Sequence, residues 1–157
     1  MELFNFPLVT ALFAIGFAQF IKVPLAYILT RKIDWRLLTS TGGMPSSHSA
    51  AVTALSTSVA LIEGIGSSYF AISVVFAVIV MFDATGIRRH AGYHATVINQ
   101  LVADFNKLVT EVKSWPKKEN EDKRAELKEL LGHQPIEVFF GGLLGVALAF
   151  LLHAILY

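Results

Sequence analysis

Four long apolar stretches constrain this chain more than anything else in its sequence. They run from about Phe4 to Ile21, continuing past Lys22 and Pro24 to Ile28; from about Ser49 to Ile62; from about Ser68 to Phe82, extending to Ile87; and from about Ile136 to Tyr157. A bilayer's hydrocarbon core takes about 20 helical residues to cross, so four membrane helices are expected, the Ala-, Ser- and Thr-rich second being the weakest. Only 16% of the residues are charged, against roughly 25% in soluble domains. This excludes a disordered chain and argues against a water-soluble globule. At 157 residues there is room for one domain, a single all-α membrane bundle spanning residues 1–157. The absence of cysteine excludes disulfides and Cys-ligated metal sites. The first stretch does not read as a cleaved signal peptide, because no basic residue precedes it and Lys22 and Arg31 follow.

The basic residues are placed asymmetrically. Lys22, Arg31, Lys32 and Arg36 follow the first stretch, and the other nine lie between Arg88 and Lys128. The positive-inside rule then puts both termini outside and the two large loops in the cytoplasm. Within the second loop, Val97, Leu101, Val102, Phe105, Leu108, Val109 and Val112 recur at three- and four-residue steps, which predicts an amphipathic helix ending near Trp115-Pro116. A solvated short helix over Lys117–Lys128 is expected to follow, so that residues 94–131 form a cytoplasmic helical insertion. The amphipathic face suits either the inner leaflet or the inner end of the bundle.

Polar residues gather in three clusters at that same boundary: Ser40-Thr41-Gly42-Gly43-Met44-Pro45-Ser46-Ser47-His48; Asp83 to His90, with Gly92 and His94 beyond; and Gly132-His133-Gln134-Pro135 with Glu137. A polar group in hydrocarbon costs several kcal/mol unless it is paired, so three clusters at one depth suggest a built site. Arg88 and Arg89 offer guanidinium forks that match phosphoryl oxygens. Ser46 and Ser47 sit where a helix begins, with its N–H groups and positive dipole end available to an anion. His48, His90 and His94 can exchange protons near neutral pH. Taken singly, each has a plainer reading: Ser46 or Ser47 as a helix N-cap, the arginines as topology anchors, His48 as a structural histidine. Lys22, an ammonium in or near a span, reads first as snorkelling to the boundary. The stripe Gly141-x3-Gly145-x3-Ala149 permits close helix contact, within the chain or in a homodimer.

The motifs resemble a known superfamily. Pro45-Ser46-Ser47-His48 is similar to the Pro-Ser-Gly-His motif of the type-two phosphatidic acid phosphatases, relatives of the vanadium-dependent haloperoxidases. Ser40–Ser49, Asp83–Gly92 and Gly132–Pro135 together resemble the divergent branch of that superfamily, over nearly the whole chain. In the phosphatases one histidine attacks phosphorus, an aspartate four residues later orients it, and a second histidine protonates the leaving oxygen. The resemblance implies Arg88 as a phosphate binder, His94 as nucleophile and His48 as acid. His90 competes for the nucleophile role because it lies inside the divergent branch's own motif. The position four after His94 is Ile98, so Asp83 is the candidate to orient a histidine. Lys32 or Lys22 would stand for the family's phosphate-binding lysine.

The expected function is a membrane phosphohydrolase acting on a lipid or isoprenoid phosphate at the inner boundary, with His48, His90 and His94 as catalytic candidates. Arg88, Arg89, Ser46, Ser47 and Lys32 would bind phosphate, with Asp83, His133 and Glu137 in support. No metal, cofactor or nucleic-acid partner is expected, and the resemblance implies a bacterial cell membrane. The alternatives are non-catalytic binding or translocation of an anionic phospholipid, and a structural membrane protein whose segment Ala95 to Leu131 docks a partner.

Overall fold

A computed structural model describes residues 5–40, 42–112 and 132–157. Five α-helices follow in order, α1 (Phe6–Thr30), α2 (Ser47–Glu63), α3 (Ser68–Thr85), α4 (Ile87–Val112) and α5 (Pro135–Leu156), with a 3-10 turn at Trp35–Thr39. At α1, α2, α3 and α5 a side chain or proline answers the orphan N–H groups of the first turn. Asn5 Oδ1 accepts from Leu8 N–H (3.0 Å) ahead of α1, Ser46 Oγ from Ser49 N–H (3.3 Å) ahead of α2, and Ser67 Oγ from Phe70 N–H (3.1 Å) ahead of α3. At α5, Pro135 sits at the start and Glu137 Oε2 accepts from Gln134 N–H (3.1 Å). Pro24 lies inside α1 without ending it, as membrane helices tolerate where their neighbours support the backbone.

The residue distribution is inverted relative to a soluble protein. Large apolar side chains face outward, among them Phe20, Ile72, Phe82, Phe139 and Ile155. The interior is made of small residues: Ala14 and Ala18 of α1 meet Ala50 and Ala54 of α2, with Leu148 of α5 closing the cluster. Such a surface suits hydrocarbon, where the outward side chains are matched by lipid tails and small residues let backbones approach. By length and composition, α1 over Phe6–Ile28, α3 and α5 are apolar enough to cross a membrane. The all-α membrane bundle read from the sequence is therefore the observed fold.

The second stretch differs from the other three, for a physical reason. At 17 residues α2 is the shortest of the described α-helices, below the about 20 that cross a hydrocarbon core. It packs against α1, α3 and α5, so its side chains meet protein rather than lipid. Two of its hydroxyls find carbonyls: Ser56 Oγ donates to Val52 O (2.9 Å), and Thr53 Oγ1 lies within hydrogen-bond distance of Ser49 O (2.8 Å) and, across the helix contact, of Gly142 O (3.0 Å). With α2 at the centre, the start of α1 and the end of α5 come together, where the Phe6 ring stands edge-on to Tyr157 at 5.4 Å.

The small-residue stripe of α5 is used within the chain. A Cβ on Gly141 would collide with the Ser46 backbone, and one on Gly145 with Ala50 O and Thr53 Oγ1. Downstream of α3 the structure differs from the periodicity: α4 begins at Ile87, just after Gly86, so Arg88–His90, Gly92 and His94 belong to its first turns rather than to a loop. The helix reaches Val112. The expected Trp115-Pro116 stop and the Lys117–Lys128 helix lie outside the described residues.

Candidate polar site at the α2 and α5 N-termini

The three polar clusters meet through direct bonds. Ser46 N–H donates to Glu137 O (3.0 Å), fastening the start of α2 to the first turn of α5. His133 N–H donates to Ala84 O (2.9 Å), fastening the turn before α5 to the end of α3. The rings of His48 and His133 stand 6.0 Å apart, edge to face. Gly141 permits the first of these contacts, because any side chain there would displace Ser46.

A line of polar side chains crosses the site. Lys22 is 2% exposed and does not snorkel, contrary to the expectation above. Its Nζ donates to Ser40 O (3.3 Å) and Gly42 O (3.0 Å), holding the loop ahead of α2 against α1. An ammonium carries three donors, so among the described residues these two bonds leave one. Glu137 stands in the first turn of α5. Its Oε2 accepts from His133 Nδ1 at 2.9 Å, which fixes the imidazole and leaves the lone pair on Nε2. That Nε2 is buried and, among the described residues, has no hydrogen-bond partner. An orphaned buried polar atom costs about 1–3 kcal/mol, so it needs an explanation.

A buried acceptor left without its donor costs about 1–3 kcal/mol. Lys22→Met is therefore expected to lower stability by at least about that amount, leaving the Ser40 and Gly42 carbonyls without their donor. Thermal unfolding in detergent checks it; an unchanged midpoint would show that Lys22 carries no such role.

The other expected residues occupy varied settings. Ser46 acts as the N-cap of α2, its Oγ also accepting from Ser49 Oγ (3.1 Å), and Ser47 is the buried first residue of that helix. Asp83 is half-buried in the last turn of α3, beside Ala84. Lys32 is exposed after α1. Arg88 is the second residue of α4. The Arg89 guanidinium bonds its own helix's Tyr93 Oη (3.0 Å) and lies over that ring. His90 and His94 are exposed, and among the described residues α4 packs against no helix but α3. Nor do His, Asp and Glu gather in threes as a metal ion requires, among the described residues. The importance of His133 was underread in the sequence, yet a signal was there: Glu137 follows it by four residues, the spacing missing after His94.

Residues 3–148 match the Divergent PAP2 family. The chain belongs to that family. The matched span contains Lys22, the Ser46–His48 turn, the Arg88–His94 stretch, His133 and Glu137. This Divergent PAP2 protein is also 67% identical over 153 residues to the "Uncharacterized membrane protein YuiD" of Bacillus subtilis (strain 168), covering 97% of each chain. No solved structure matches it. Family, relative and outward-facing apolar helices together make the chain an integral membrane protein.

Proposed function

We propose that this Divergent PAP2 protein is a membrane phosphohydrolase that removes phosphate from a lipid or isoprenoid phosphate at the cytoplasmic boundary, both termini lying outside. The observation that carries the reading is the His133–Glu137 pair, with its unpartnered Nε2 beside His48. In this reading Nε2 of His133 attacks phosphorus in line as the P–O ester bond breaks, and His48 gives its proton to the leaving oxygen. Glu137 holds Nδ1–H throughout and stabilises the cationic ring. Water, giving its proton to His48, then attacks the phosphohistidine, so that the P–N bond breaks, phosphate leaves, and both Nε2 and the protonated His48 are restored. The remaining N–H of Lys22, the N-terminus of α2, and Arg88 and Arg89 from the start of α4 would balance the phosphoryl charge. The helix-lined surroundings suit a substrate whose tail stays in the bilayer.

The burial of Nε2 favours one competing reading, in which the site binds or translocates an anionic phospholipid without cleaving it. Purified protein in detergent, given a panel of lipid phosphates, separates the two. The phosphatase reading expects phosphate release that His48→Ala abolishes. Saturable lipid-phosphate binding without release from any substrate would leave the binding reading standing.

A further inference from the structure

We infer that α4 lies flat in the headgroup layer of the membrane that the bundle spans, with His90 and His94 in its lipid-facing stripe. Along α4, Ile87, His90, His94, Val97, Leu101, Phe105 and Leu108 follow one another at three- and four-residue steps, so they share one face. All seven are exposed, Leu101 by 67% and Phe105 by 62%. A row of exposed large apolar groups in water would be costly, at roughly 25 cal/mol per Å².

Three observations identify the occupant as lipid. The helix starts immediately after α3, an apolar helix long enough to cross a membrane, ends, and both Phe82 near the end of α3 and Ile87 at the start of α4 are exposed. Among the described residues α4 packs on no helix besides α3. Its buried positions, Gly92 and Ala95, lie on a different side from the stripe. Gln100, Asp104 and Lys107 are exposed on the flanks and back of the helix, with Arg89 on its back. An interfacial helix of this kind sinks about 5–10 Å into the boundary of headgroups and acyl chains. The second alternative read from the periodicity, packing on the inner end of the bundle, is set aside by these contacts.

The full chain contains no cysteine, so single cysteines can carry a nitroxide label without background. In liposomes of phosphatidylethanolamine and phosphatidylglycerol, labels at Leu101, Phe105 and Leu108 are expected to be more accessible to oxygen than to a water-soluble nickel chelate. Labels at Gln100 and Lys107 are expected to show the reverse. Nickel access on both faces would overturn the inference by placing α4 in water. Immobile stripe labels shielded from both reagents would overturn it by placing protein there, a second copy included. In Leu101→Glu the label at Phe105 is expected to shift from oxygen toward nickel, while one at Ile72 of α3 stays unchanged. A Phe105 label unmoved by Leu101→Glu would also count against lipid contact. None of these readouts depends on whether the protein cleaves phosphate.

Discussion

His133→Ala is expected to reduce phosphate release by at least roughly a thousandfold, as removal of a covalent nucleophile does. His90→Ala and His94→Ala should retain activity within a few-fold. The contrast follows from placement. His133 is locked through Nδ1 onto Glu137 and stands beside His48, whereas His90 and His94 lie exposed on α4. Trapping with a lipid substrate labelled in its phosphate should give an alkali-stable, acid-labile mark on the wild type and none on His133→Ala. His133→Asn is the companion variant, since its amide can still donate to Glu137 but has no nucleophilic nitrogen. If His133→Asn is folded by its thermal midpoint and still becomes labelled, or if His94→Ala loses the label, the attacking group is not His133. Glu137→Gln keeps a hydrogen-bonding side chain and removes the charge, so it should slow turnover more than it weakens substrate binding.

The second large effect concerns two neighbouring glycines. Gly141→Ala and Gly145→Ala should each cost about 1–3 kcal/mol through overpacking, and Gly145→Leu should prevent folding in detergent. A Cβ at either position meets backbone atoms of α2, which cannot step aside as a flexible side chain would. Gly142→Ala is the control. Its added methyl would touch only Thr53 Cγ2, at an ordinary 3.6 Å, and alanine is favoured over glycine in a helix by about 1 kcal/mol. Its midpoint should hold or rise. Equal midpoints for Gly141→Ala and Gly142→Ala would mean that α5 does not rest on α2 as described. Because Gly141 seats Ser46, its variant should also disturb the Ser46–Glu137 bond and the turn leading to His48.

The lipid-facing helices were legible because hydrocarbon imposes a one-dimensional demand: about 20 apolar residues in a row. That demand is met by the stretches that became α1, α3 and α5, and the Gly141–Gly145 stripe announced a close contact. It is relaxed for α2, whose environment is other helices, so Ser49, Ser56 and Ser58 blurred its signal while marking it as the centre. The amphipathic period of α4 was visible from Val97 onward. Its first ten residues were masked by their chemistry, because two arginines and two histidines read as a site before they read as a helix face. Nothing in local sequence says which way His90 and His94 turn.

Sequence alone determined a helical membrane protein with polar clusters at the start of α2, the end of α3 and the start of α5, since hydropathy and basic-residue placement act residue by residue. Tertiary structure decided which members of those clusters meet. Lys22, Glu137, His133 and His48 come from three different helices and the turn before one of them, and their proximity depends on backbone contacts at Gly141 and Ala84. Contacts of that kind are long-range and specific to side-chain volume, so only the packed bundle selects His133, rather than the more prominent histidines of α4, as the partner of the Glu137 carboxylate.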